Sequence, residues 1–193
     1  MTHRIAVLVS GTGRHLENLA RLSRDERETF DAEVVLVVSS KPGVKALERA
    51  ARFDLRAEVF ELRAGEPEKQ YGRRIFDAIR AVGADTVVLA GFLKKLWVPA
   101  DYAGRVLNIH PSLLPAFGGK GYYGSRVHRA VLEQGVRVTG CTVHVVDEIY
   151  DNGRILLQRE CAVEPGDTPD SLAHRVFEEE LIALPDALRL FWS

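Results

Sequence analysis

The sequence predicts an α/β fold: a single Rossmann-like domain with an open, mainly parallel sheet and an antiparallel addition in its C-terminal half. Three observations predict it. Short β-branched runs alternate with longer charged, amphipathic stretches through the first half of the 193 residues, which calls for crossover helices. Those runs are nearly continuous in apolar residues, as strands covered on both faces require. Two late extended runs are separated by a gap too short for a helix crossover, so they pair antiparallel.

The elements follow in order. Residues 5–9, Ile-Ala-Val-Leu-Val, read as the first strand. Residues 15–27 read as a helix with Leu16, Leu19, Ala20 and Leu22 on one side. A strand at 34–38, a helix at 44–52 and a strand at 57–62 come next. Residues 66–82 carry Tyr71, Ile75, Ala78, Ile79 and Val82 at helical spacing. Strands are expected at 86–90 and 105–109, then the antiparallel pair at 138–146 and 155–163. Thr168 reads as a helix N-cap with Pro169 at the first helical position. That helix is expected to stop near Leu184, because a proline disfavours helical geometry in the residue before it. A short final helix at 186–191 is expected after Pro185.

Composition narrows the function classes. Hydrophobic residues make up 46% and charged residues 27%, the usual mix of a globular chain. Lys plus Arg number 26 against 27 Asp plus Glu. That balance excludes a broad nucleic-acid surface, whose affinity rests on many cation–phosphate contacts. It leaves room for a local phosphate pocket. The two cysteines, Cys141 and Cys161, sit in apolar runs and read as buried free thiols. No signal peptide, membrane span, repeat or linker is apparent, so one soluble, cytoplasmic domain over residues 1–193 is expected.

Three segments carry chemistry. Ser10-Gly11-Thr12-Gly13-Arg14 lies between a strand and a helix, where glycines turn the backbone and helix N–H groups attract an anion. It lacks the Gly-Lys-Ser/Thr of a Walker loop, and Leu16 stands in place of the third dinucleotide glycine. Asn108 and His110 leave the fifth strand two residues apart, hence on one side of an extended chain. An amide and an imidazole together suit acyl transfer: both can hydrogen-bond an oxygen that becomes negative, and the imidazole can move a proton. Asp147-Glu148-Ile149-Tyr150-Asp151-Asn152-Gly153 is a turn that can set one carboxylate against that imidazole. Its acids lack calcium-loop spacing, and no zinc-like Cys/His set is present.

With these segments in view, the chain resembles the phosphoribosylglycinamide formyltransferases. The resemblance rests on Val9-Ser10-Gly11-Thr12-Gly13, Leu89-Ala90-Gly91-Phe92, Asn108-Ile109-His110-Pro111-Ser112-Leu113-Leu114-Pro115, Val143-His144-Val145-Val146-Asp147-Glu148 with Asp151, and Pro165-Gly166-Asp167-Thr168. Phe117-Gly118-Gly119-Lys120-Gly121-Tyr122-Tyr123-Gly124 resembles a glycine-rich insert of some bacterial members, with 118–124 a candidate moving segment.

The resemblance implies transfer of a formyl group from 10-formyltetrahydrofolate to the amine of glycinamide ribonucleotide, with no metal and no nicotinamide. It implies Asn108, His110 and Asp151 as the catalytic trio. Gly13, Arg14, His15 and Glu180 would hold the ribonucleotide. Leu93, Lys94, Lys95 and Leu96, with Asn108 and the loop Asp147, Glu148, Ile149, Tyr150 and Asp151, would hold the folate. The N-terminal half would then be the phosphate side and the C-terminal half the folate side, in a monomer or homodimer with no nucleic-acid or membrane partner. Arg14 and His15 replace small polar residues usual in the family, and Lys94 replaces an arginine's planar fork. Lys69 is the candidate stand-in for a folate-contacting arginine expected near Glu68. His144 reads as a core residue or one supporting the site, and His128 and His174 as packing or surface residues.

The rivals are a formyltetrahydrofolate deformylase, a methionyl-tRNA formyltransferase and a catalytically silent folate-binding module. The first resembles Asn-Ile-His-His-Ser where Pro111 stands and carries an extra N-terminal domain. The second needs a further C-terminal domain and a basic surface. The third could lose the trio that this chain keeps.

Overall fold

The computed structural model describes residues 2–193. The chain forms two compact units, one ending at Leu107 and the other spanning Asn108–Ser193. The first holds β1 (His3–Val9), α1 (Arg14–Asp25), β2 (Ala32–Ser39), α2 (Lys45–Arg52), β3 (Ala57–Val59), α3 (Glu68–Ala81) and β4 (Thr86–Leu89). β5 (Val106–His110) starts in the first unit and carries Asn108, Ile109 and His110 into the second. There follow α4 (Ser125–Gln134), β6 (Val138–Val145), β7 (Ile155–Ala162) and α5 (Pro169–Trp192).

In the first unit the strands run β3-β2-β1-β4, every pair parallel. Residues Ile5, Ala6, Val7, Leu8 and Val9 are fully buried in β1, which explains their unbroken apolar run. The helices follow the expected stripes. α1 buries Leu16, Leu19, Ala20 and Leu22, and α3 buries Tyr71, Ile75, Phe76 and Ile79. The Tyr71 hydroxyl donates to the Phe60 carbonyl at 2.8 Å, as a buried hydroxyl requires. β3 is shorter than the expected 57–62, since only residues 57–59 pair with β2.

In the second unit β6 and β7 are antiparallel, as the short gap between them requires. α5 packs on both strands and α4 packs on α5. The α/β class with an antiparallel C-terminal addition is therefore the fold adopted. α4 is an element that the sequence reading did not delimit. It begins after Gly124, buries Val127, His128 and Val131, and ends on Gly135 in the left-handed conformation, a usual helix stop.

Two expectations need correction. α5 does not stop near Leu184; it runs unbroken to Trp192 with Pro185 inside it, leaving no separate final helix. A proline in a helix interior costs about 3 kcal/mol. Here Ala183, Leu184, Pro185, Ala187 and Leu188 are all buried, and apolar burial of about 1.5–3 kcal/mol per large side chain outweighs that local cost. Cys141 is buried, and burial pushes its thiol up to about 12. Cys161 is only half-buried, because β7 alternates between covered and exposed positions. Among the described residues, no helix is long and apolar enough to cross a membrane.

The start of α5 is built as its sequence indicates. Thr168 Oγ1 accepts from Ser171 N at 3.2 Å, and Thr168 N donates to Ser171 Oγ at 2.9 Å. This reciprocal pair satisfies two amides that have no partner within the helix. Thr168→Ala is expected to lower unfolding free energy by about 1 kcal/mol, measured as a reduced urea midpoint at unchanged m-value.

Candidate active site

The first unit holds one of the segments with chemistry, residues 10–14, and the segment at 93–96 that the resemblance assigns to folate. Gly13 is the N-cap of α1 with φ +72, and a Cβ there would lie 2.6 Å from Ala46 Cβ. Both facts demand glycine. The loop is fastened to α2: Ala46 N donates to Gly11 O at 3.1 Å, and Arg49 donates to Thr12 O at 2.8 Å and to Glu17 at 2.6 Å. Arg14 is exposed beside it, and His15 is buried. At the end of β1, Ser10 Oγ lies 2.6 Å from Ser40 Oγ and accepts from Leu93 N at 2.9 Å. That bond ties the segment after β4 to the turn that starts α1.

Residues 93–96 do not act as one surface. Leu93 is exposed, Lys94 half-buried, and Leu96 buried in the core. Lys95 pairs with Glu68 at 3.3 Å. Lys69 lies 5.4 Å above the Trp97 ring, a cation–π contact.

The second unit brings Asn108, His110 and Asp151 together. The Asn108 side chain points from β5 toward the turn after β6. Its Nδ2 lies 3.5 Å from Asp151 Oδ1, and His110 Nδ1 lies 3.5 Å from Asp151 Oδ2. The carboxylate is only 11% exposed. Asp151 adopts φ +53, a conformation aspartate tolerates better than most residues. The turn reaching it is built by Asp147, whose carboxylate accepts from Ile149 N at 2.8 Å and from Asn152 Nδ2 at 3.1 Å. Glu148, Ile149 and Tyr150 stand exposed on that turn.

Three further groups contact the trio: His144, read from the sequence as a core residue or one supporting the site, and two backbone groups that the sequence reading did not single out. His144 Nε2 lies 3.1 Å from Asn108 Nδ2 and 3.6 Å from Asp151 Oδ1. Gly119 N donates to Asp151 Oδ2 at 2.9 Å. His110 Nε2 donates to the Phe117 carbonyl at 2.9 Å. Backbone contacts leave no residue-type signature. His144 did leave one: it alternates with Thr142 on one face of β6, two polar side chains in a buried strand. Thr142 fixes the chain after β5. Its Oγ1 donates to Ser112 O at 2.7 Å and accepts from Leu114 N at 3.0 Å and Gln158 Nε2 at 2.8 Å.

Electrostatics follow from this packing. Burial works against an ionised Asp151, but the hydrogen bonds it accepts and the charge of His110 outweigh it and hold the carboxyl below its ordinary range. His128 is pushed down by burial, opposed by the Glu180 charge and assisted by His110. Glu180 is buried on α5. Among the described residues, no group of three or more His, Cys, Asp or Glu side chains could hold a metal ion.

The depressed Asp151 carboxyl has a stability consequence. A carboxylate whose folded-state pKa is lowered adds stability above its unfolded pKa and loses it as pH falls through the folded value. The stability advantage of the wild-type chain over Asp151→Asn is expected to be present at neutral pH and to shrink below the ordinary value of 3.8. Urea unfolding at several pH values checks this; a gap that widens on acidification contradicts it.

Comparison with known proteins agrees with this geometry. The formyl transferase family model matches residues 3–188. The chain is 43% identical over 198 residues to the trifunctional purine biosynthetic protein adenosine-3 of Gallus gallus, covering 98% of this chain and 18% of that protein. It is 43% identical over 180 residues to the chloroplastic phosphoribosylglycinamide formyltransferase of Arabidopsis thaliana, covering 92% of this chain and 61% of that one. The chain thus spans under two thirds of these curated relatives. Among solved structures, glycinamide ribonucleotide transformylase 1 of Symbiobacterium toebii superposes with TM-score 0.91 at 37% identity, over 98% of this chain and 87% of that one. The Geobacillus kaustophilus protein of the same name gives TM-score 0.87 at 32% identity over the full length of both. With its family match running across both units, the chain belongs to the formyl transferase family.

Proposed function

We propose that the chain transfers the formyl group of 10-formyltetrahydrofolate to the amine of N1-(5-phospho-D-ribosyl)glycinamide, a step of de novo purine synthesis. The observation that carries the reading is the trio: an amide and an imidazole from the end of β5 meeting one buried carboxylate from the turn after β6. Relatives named for this activity support the choice of substrates.

In this reading the substrate amine attacks the formyl carbon, and charge grows on the carbonyl oxygen. Asn108 Nδ2–H donates to that oxygen, and His110 Nε2–H supplies a second donor. A carboxyl held below its ordinary range is a weak proton store, so Asp151 acts chiefly through its charge. It faces the His110 ring and orients it, while the proton lost by the amine passes through water to N10 of the folate as the bond from the formyl carbon to N10 breaks. Gly13, Arg14 and His15 hold the phosphoribosyl group at the start of α1, and Glu180 contacts the substrate from α5. Leu93, Lys94 and the exposed turn at Glu148, Ile149 and Tyr150 meet the folate, with Asp147 shaping that turn. The buried Leu96 side chain supports this segment from behind, leaving its backbone for any folate contact. Residues 1–193 work as one formyltransferase domain in the cytoplasm, as a monomer or homodimer, without metal or nicotinamide.

The test mixes the protein with 10-formyltetrahydrofolate, with and without glycinamide ribonucleotide, and follows tetrahydrofolate. Release that depends on the ribonucleotide supports the transferase. Release without any amine identifies a hydrolase, and silence in both identifies a binding module. In the transfer assay, Asn108→Ala and Asp151→Asn are each expected to lose about 100-fold or more in turnover while staying folded. Near-normal turnover in either removes that residue from its role.

A further inference from the structure

We propose that His144 is the positioning residue that holds the Asn108 amide with its nitrogen toward the reacting carbonyl, an assignment that rests on the formyl-transfer reading. Three features of the chain place it there. Thr142 and His144 share the face of β6 that carries the trio's support, and His144 is 2% exposed. The β6–β7 register slips by one residue between Val143 and His144. Such irregularities re-aim a side chain beside a site.

The hydrogen bonds then fix the chemistry of the ring. His144 Nδ1 lies 3.1 Å from the Val145 carbonyl. A carbonyl only accepts, so Nδ1 carries a proton. In the neutral ring Nε2 is therefore a lone pair, and it faces Asn108 Nδ2 at 3.1 Å. The other neighbour of that amide is Asp151 Oδ1 at 3.5 Å, also an acceptor. Two acceptors on one side admit the NH2 end of the amide and reject its oxygen. A turned amide would set its carbonyl against a lone pair and a carboxylate together.

The hydrogens of the amide are divided between two partners. The Asn108 amide has two, and His144 takes one at good length. The second meets Asp151 only at 3.5 Å, beyond the usual range of 2.7–3.2 Å. That hydrogen is the one a substrate oxygen can claim. His144 acts through Asn108 and touches no reacting atom.

The test compares His144→Leu, which fills the space without an acceptor, with His144→Gln, whose amide oxygen can take the place of Nε2. His144→Leu is expected to lower kcat about 10- to 100-fold, the scale of lost supporting contacts, with little change in KM for either substrate. His144→Gln is expected to recover most of that loss. In an Asn108→Ala background, His144→Leu should add no further loss, because its target is gone. Long-range proton–nitrogen NMR of the wild-type protein should show His144 protonated at Nδ1. Equal losses in Leu and Gln variants, full multiplicative loss in the Asn108→Ala background, or an Nε2-protonated ring would each overturn the assignment. If His144→Leu does not fold, the ring spectrum decides alone. A wild-type protein inactive in formyl transfer sinks the functional reading; an active one indifferent to His144→Leu sinks only this inference.

Discussion

A carboxylate that is 11% exposed must find partners or lose its charge. Asp151 keeps its charge because three groups converge on it: the Gly119 amide at 2.9 Å, the Asn108 amide at 3.5 Å and the ring of His110 at 3.5 Å. Remove the carboxylate and those three groups lose their common reason to point inward. The turn that delivers it is correspondingly tight. A Cβ on Gly153 would overlap the Val145 carbonyl, so the chain can leave β6 and return into β7 on this path only with glycine there.

The support around the trio is stiffer than the trio's loops suggest. Thr142 uses all of its hydroxyl capacity to hold Ser112, Leu114 and Gln158. Ser112 in turn donates to Ala116 O at 2.6 Å. The residues following His110 are thus tied to β6 by buried hydrogen bonds, which gain strength away from water. In the first unit Ser10 does similar work, joining Ser40 and Leu93 around the end of β1.

The strands and most helices were legible because their signal is local. Burial on both faces wrote unbroken apolar runs into β1, β2 and β4, and caps marked α5 at Thr168. The end of α5 was not legible, since the rule against Pro185 is local while the burial of Ala187 and Leu188 is tertiary. The site divided in the same way. Asn108 and His110 could be read from strand parity, and Asp151 from family resemblance on a turn. The carbonyl of Phe117 and the amide of Gly119 could not, because every residue has a backbone. Leu96 and Lys95 are adjacent in a motif but face the core and Glu68 respectively, a division set by tertiary packing rather than by local sequence.

The three groups of the trio are not held alike. Asn108 is fixed by side chains of β6 and its following turn, His144 and Asp151. His110 and Asp151 take their shortest bonds from the backbone of the glycine-rich insert, at Phe117 and Gly119. A substrate oxygen approaching His110 Nε2 must compete with the Phe117 carbonyl, whose residue sits at φ +55, strained for an aromatic side chain. On the formyl-transfer reading, the trio thus pairs one donor oriented by side chains with a second already engaged by a backbone carbonyl, so the two are not equally ready for a substrate oxygen.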